Sequence, residues 1–340
     1  MIRKTIFAAL IACAAFAGPS VPMARAADAP KIVIGIPGIP PIFSAVITYV
    51  AQDQGFFKKY GANVELRPFD NGTAAARAVV AGDLDASFSG TNVVIFQIAN
   101  AGIPLKTIYG FPHPDMALGS TDPKRTSCKD LVGQQVSIDT PGGVRSLALK
   151  AMLGAGCHMS LDQVQQVAMG SNTASAMASG QLTFGVVHTD DIPDIELRGH
   201  KKITIVETLS KTNPDTHYLV MTVRQDRLAQ KRDGFVRAVA GLIAAGHFIA
   251  DPKNNAKVTK IAASITGRDP AIASAAVKGY LAIGVWTVND DGMNPQQIGN
   301  YLQILAKSGN IKEGKTPPTY AQLVDPSVWR DAEALVKKGK

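Results

Sequence analysis

Two stretches of this 340-residue chain lie over each other without a gap: NGTAAARAVVAGDLDASFSGT at 71–91 and MGSNTASAMASGQLTFGVVHT at 169–189. Gly72 falls on Gly170, Thr73 on Ser171, Gly82 on Gly180, Leu84 on Leu182 and Thr91 on Thr189. Upstream, GIPG at 35–38 answers DTPG at 139–142. Each stretch reads as a turn, a helix stopped by glycine, a short strand and a second turn. Self-similarity of this kind points to one supersecondary unit used twice; chance repetition among Ala-rich helices is the other reading. Used twice, the unit gives two α/β domains that face each other. Ligands of open α/β sheets bind beyond the carboxyl ends of the strands, so two such sheets enclose one ligand between them.

The rest of the chain fits that frame. Strands are expected at 31–37, 63–69, 85–89, 105–111, 135–138, 164–168 and 183–187, with helices between, which predicts an α/β fold with a mainly parallel sheet. A strand at 218–223 ends this pattern. From Asp226 onward the reading is helical, over 233–250, 254–265, 269–281, 295–308 and 326–338. Such a tail wraps back onto the first domain. The chain then crosses between domains near 115–121 and 215–222, and two crossings make a hinge. The expected architecture is two α/β lobes on a two-strand hinge: residues 27–117 with 222–340 as lobe 1, and 118–221 as lobe 2.

Arg3 and Lys4 precede an apolar run at 6–17, and Ala24-Arg25-Ala26 offers a small-residue cleavage site, so residues 1–26 read as an export signal. Leu10-Ile11-Ala12-Cys13 resembles a lipoprotein box, but apolar sequence continues past Cys13, and lipidation there is the weaker reading. No later stretch reads as a membrane span. Formal net charge is +8, three of it in the leader. The basic residues are scattered, which argues against nucleic acid. Hydrophobic residues make up 46% and charged residues 18% of the chain, enough for a packed core. Cys128 and Cys157 remain after processing. An even pair in an oxidising compartment predicts a disulfide, with two buried free thiols as the alternative. Neither a metal set nor a cofactor motif stands out, and G-x-S-x-G, H-E-x-x-H and P-loop patterns are missing, so the chain does not read as an enzyme.

At 136–153 the chain reads VSIDTPGGVRSLALKAML. A strand hands over to a helix through glycines and an arginine. The first turn of a helix leaves N–H groups unpaired and carries a partial positive charge, so such a junction can seat an anion. Arg145 adds a guanidinium suited to a carboxylate or sulfonate; a surface arginine is the alternative. Hydroxyls of Thr73, Thr91, Ser171 and Thr189 can donate to anion oxygens or simply cap helices. His188 ends a strand where the matched position holds Gly90, and is either a ligand donor or a structural histidine. Asp190 and Asp191 fit poorly with a purely anionic ligand. They point away, or they recognise a polar or cationic end. Pro40 and Pro41 add a rigid wall, and Phe43 an aromatic face or a core side chain.

Several stretches together resemble a known family: KIVIGIPG at 31–38, the block DQGFFKKYGANVELRPFDNGTAAARAVVAGDLDASFSGTN at 53–92, LVGQQVSIDTPGGVRSLALKAML at 131–153 and WTVNDDGMNPQQIGNYLQILAKSGNI at 286–311. They resemble the periplasmic substrate-binding proteins of ABC importers for sulfonates, taurine and nitrate. The wider group includes a cytosolic pyrimidine synthase with a cysteine-rich motif that this chain lacks. The resemblance implies a type II periplasmic-binding-protein fold, a monomer, closure around a small organic anion, and delivery to an ABC permease and its ATPase. It implies binding segments in the turns after strands: Gly38-Ile39-Pro40, Asn71-Gly72-Thr73 and Ser89-Gly90-Thr91-Asn92 in the first lobe. In the second lobe they are Thr140, Gly142, Gly143, Val144 and Arg145, then Ser171, then His188-Thr189-Asp190. An exported sensor subunit and an exported enzyme acting on a pyrimidine-like substrate are the competing readings.

Overall fold

A computed structural model describes residues 30–339. The expected export signal and Cys13 lie outside them. Among the described residues, ten strands form two five-stranded sheets. The first holds Lys31–Pro37 (β1), Asn63–Phe69 (β2), Ala86–Gly90 (β3) and Leu105–Phe111 (β4). The chain then passes to the second sheet, with Ala117–Ser120 (β5), Gln135–Ile138 (β6), Gln165–Ala168 (β7), Phe184–Val187 (β8) and Thr204–Thr208 (β9), and returns to the first as Leu219–Arg224 (β10). The strand orders are β2-β1-β3-β10-β4 and β7-β6-β8-β5-β9. The two orders are the same arrangement, with the crossing strand in the fourth place each time. The repeat read from 71–91 and 169–189 therefore has a structural counterpart: helices Gly72–Ala81 and Thr173–Ser179 lead into β3 and β8.

Three expectations need correction. The sheets are mixed, not mainly parallel. β1 pairs parallel with β2 and β3, but β10 runs antiparallel to β3 and β4; β5 does the same against β8 and β9. Each crossing strand enters its sheet from the opposite end, which forces the reversal. The expected lobe boundaries also shift. β5 already begins at Ala117 in the second sheet, and β10 joins the first sheet from Leu219, inside the span given to lobe 2. Finally, helix Gln225–Ala250 is long and apolar enough to cross a membrane by length and composition. It is a core helix here, with Phe235, Ala238, Val239, Ala240, Leu242, Ala245 and Ile249 fully buried. At Gly241 an added Cβ would stand 2.6 Å from the Phe57 ring. Ile32, Ile34 and Ile36 alternate from β1 into that core.

Cys128 and Cys157 form a disulfide within the second lobe. It ties the 3₁₀ turn Cys128–Leu131 to the end of the π-helical turn Met152–Gly156, which continues the Val144–Ala151 helix. The bridge thus anchors the far end of the helix whose first turn carries Arg145. It spans 29 residues of sequence. Restricting the unfolded chain by that loop stabilises the fold by about 3 kcal/mol. Urea unfolding of a Cys128→Ala/Cys157→Ala variant should show that loss; an unchanged midpoint would contradict it.

Candidate functional site

The two lobes meet along loops that follow their strands. Asn92 Nδ2 donates to the Gly142 carbonyl at 2.9 Å, and Ser171 Oγ donates to the Ile39 carbonyl at 3.1 Å. At Gly90 the lobes are in close contact. A Cβ there would lie 2.3 Å from Val144 Cγ2, so a side chain at position 90 would force Val144 to shift. Between these contacts lies a cavity of about 50 Å3. From the first lobe it is lined by Gly38, Ile42, Asp70, Asn71, Gly72, Thr73, Gly90 and Val93; from the second by Asp139, Val144, Arg145, Gly170, Ser171 and His188. Tyr218, on the returning connector, closes it. A second cavity, of about 210 Å3, shares Ile42, Arg145, Ser171 and His188 and adds Pro40, Pro41, Phe43, Asp190, Asp191, Asp194 and Arg268.

Arg145 is buried, 5% exposed, and is not a surface residue. Its Nη2 donates to Asp191 Oδ2 at 3.1 Å, while its Nη1 is buried with no hydrogen-bond partner. The helix start beside it is already occupied. The carboxylate of Asp139 lies against Gly143, where an added Cβ would stand 2.5 Å from Oδ2 and 2.6 Å from Oδ1. The expected anion seat on the bare helix terminus is therefore filled by the chain's own acid. Burial raises the Asp139 pKa above the usual carboxylate range.

Around this cavity the buried charges form one network. Arg268, from the loop after helix Asn255–Thr266 of the first lobe, donates to Asp190 Oδ2 at 2.7 Å, to Asp191 Oδ1 at 2.5 Å and to Asp194. Tyr280 Oη donates to Asp190 Oδ1 at 3.0 Å. Burial works against the Asp191 carboxylate, but Arg145 and Arg268 outweigh it and hold its pKa at about 2. Asp190 is raised, by burial first and by Asp191 next. In the connector, Asp115 Oδ1 accepts from His188 Nδ1 at 2.6 Å and Oδ2 accepts from the Thr189 N–H at 2.8 Å. Burial alone would lower His188, and the adjacent Asp115 carboxylate reverses that, leaving its pKa raised.

Of the residues expected from sequence, Gly38, Asn71, Gly72, Thr73, Gly90, Val144, Arg145, Ser171 and His188 line the small cavity, and Pro40 and Asp190 the larger one. The others stand apart from both. Ser89 Oγ is buried against Ser87 Oγ at 2.8 Å. Thr91 Oγ1 is fully buried and donates to His217 Nδ1 at 2.7 Å, while His217 Nε2 donates to the Gly292 carbonyl. Thr189 is engaged through its backbone by Asp115, and Ile39 is 54% exposed. Thr140, Gly142 and Gly143 shape the turn behind Asp139, and Asn92 bonds across to it. Asp190 carries Arg268 and Tyr280, both from the first lobe, so these acids serve the contact between the lobes. Phe43 packs with Tyr280 and Trp286, with ring centroids 5.0 and 6.3 Å away. Asp70, Asp115, Asp139, Tyr218 and Arg268 were not among the expected site residues. Asp139 carried a signal, because its matched position in the first lobe is Gly35.

Two α/β lobes with a polar cavity between the carboxyl ends of their strands define the fold of the periplasmic binding proteins. The sequence profile of the NMT1/THI5-like family matches residues 43–262, and the chain belongs to that family. A relative from Brucella abortus (strain 2308), named as a candidate binding protein, is 28% identical over 54% of either chain. The chain spans about half the length of the curated relatives it matches. Among solved structures, the periplasmic nitrate-binding protein NrtA from Synechocystis PCC 6803 superposes with a TM-score of 0.73 at 12% identity, over 91% of this chain and 90% of that one. The alkanesulfonate-binding protein SsuA from Xanthomonas axonopodis pv. citri, solved with MOPS bound, gives 0.69 at 16% identity, over 87% and 99%.

The His188–Asp115 pair predicts a pH dependence. A raised histidine contributes stability below its unfolded pKa, near 6.5, and loses it as pH rises through the higher folded value; the lowered Asp115 contributes above about 3.8 and loses it as pH falls. Melting temperatures of wild type and His188→Gln should therefore differ most between about pH 4 and 6.5 and converge as the solution becomes alkaline. A gap that widens with rising pH would contradict the assignment.

Proposed function

We propose that this protein is the solute-binding component of an ABC importer and captures a small organic anion, a sulfonate or a carboxylate, between its lobes. The observation that carries this reading is Arg145 Nη1: a buried guanidinium N–H without a partner, on the wall of the interlobe cavity. An unpaired buried donor costs about 1–3 kcal/mol, and an acceptor brought by a solute recovers it. The hydroxyls of Thr73 and Ser171 line the same space. The fold shared with nitrate- and alkanesulfonate-binding proteins supports the class of ligand. The export signal read at residues 1–26 delivers the protein outside the cytoplasmic membrane. Residues 112–116 and 209–218 connect the sheets and serve as the hinge. The solute replaces its water with protein donors, the lobes close, and the closed form docks on the permease and its ATPase. The transition requires two states only a few kcal/mol apart, so that solute contacts can shift the balance.

A thermal-shift panel of aliphatic and aromatic sulfonates, carboxylates and nitrate tests the reading. A solute at one hundred times its Kd stabilises the folded state by about 2.7 kcal/mol through mass action. We expect a concentration-dependent rise in Tm with at least one organic anion in the wild type and its loss in Arg145→Ala. A rise retained in Arg145→Ala would remove the arginine from the binding site.

A further inference from the structure

We infer that the solute carries a hydrogen-bond donor, an N–H or an O–H, beside its acidic group, and that Asp139 is the residue that selects for it. This rests on the interlobe cavity being the solute site. Two polar atoms on its wall are buried and unpartnered: Arg145 Nη1, which can only donate, and Asp139 Oδ1. Both belong to the same strand-to-helix turn. The rest of each group is fixed. Arg145 Nη2 is held by Asp191, and the Asp139 carboxylate lies directly over Gly143, in the space a Cβ would take.

A plain anion satisfies only half of this wall. Its charge pairs with Arg145, but it leaves the Asp139 oxygen unpaired and brings a second negative group close to it. Sites built to hydrogen-bond a polar group discriminate strongly against analogues that lack it, because the site's own buried atom is then stranded. A solute with an acid and a neighbouring donor meets both atoms. The first lobe offers no second acid of this kind at the matched turn, where Gly35 replaces Asp139 and has no side chain.

Titration calorimetry on the folded protein with two matched series tests this. One is ethanesulfonate, 2-hydroxyethanesulfonate and 2-aminoethanesulfonate. The other is propionate, 3-hydroxypropionate and 3-aminopropionate. In each series only the donor changes, and the hydroxy and amino members separate a neutral donor from a cationic one. In at least one series a donor-bearing member should bind about tenfold or more tighter than the plain acid. In Asp139→Ala that preference should vanish. Asp139→Asn keeps a side-chain acceptor and removes the charge. It should lose the amino preference and retain part of the hydroxy preference, which serves as the control if the alanine variant folds poorly. Plain acids binding as tightly as their donor-bearing partners, or a preference unchanged in both variants, would overturn the inference and leave the anion reading standing. Binding of no member of either series would overturn the anion reading and this inference together.

Discussion

The interface between the lobes is organised by charges that water cannot reach. Asp190, Asp191 and Asp194 all project from one end of the Asp191–Gly199 helix in the second lobe and are nearly inaccessible. Arg268, from the first lobe, touches all three, and Arg145 holds Asp191 from the other side. A buried ion pair is weak evidence for stability, since desolvation consumes most of the Coulombic gain. Removing one partner, however, leaves a bare charge, so the pairing dictates where the lobes sit. The same network fixes Arg145 with one N–H engaged and the other open to the cavity. Asp115 acts likewise in the connector, holding His188 and the start of the 188–190 turn at once.

The cavity follows from this arrangement. The strands of both sheets end at it, and the helix starts that follow would ordinarily offer bare N–H groups to an anion. In the second lobe that offer is withdrawn, because Asp139 occupies the Val144–Ala151 helix terminus. On the reading proposed above, a solute meets one guanidinium N–H, one carboxylate oxygen, a few hydroxyls and the apolar surfaces of Ile42, Val93 and Val144. Gly90 leaves room for Val144 of the other lobe, and Ser171 and Asn92 tie the rim.

Much of the fold was legible in the sequence. The paired glycines at 72 and 170 and at 82 and 180 mark helix ends, and their spacing exposed the duplicated unit whose strand order the two sheets share. The strands that were not legible, β5 and β9, have four and five residues. They acquire their character from neighbours paired across the sheet, which no local pattern records. Of the site, Arg145, Ser171, His188 and the Asn71-Gly72-Thr73 turn were legible as turn residues facing a common cleft. Thr91 and Ser89 were misplaced because their hydroxyls sit on the buried side of the turn, satisfied by His217 and Ser87. The function of Asp190 was hidden because its partner, Arg268, is 78 residues away. Asp139 was passed over because its role depends on Gly143 leaving room for a carboxylate, a matter of three-dimensional shape.

We propose that a solute brings these lobes together and that the arginine–aspartate network defines the closed state. Small-angle X-ray scattering of the wild type and of Arg268→Ala, with and without the anion that gives the largest thermal shift, addresses it directly. The account predicts that the solute reduces the radius of gyration of the wild type, and that Arg268→Ala remains more extended than the wild type at the same solute concentration. Identical scattering with and without a solute that demonstrably binds would contradict closure, and identical scattering of the two proteins would remove the network from its control.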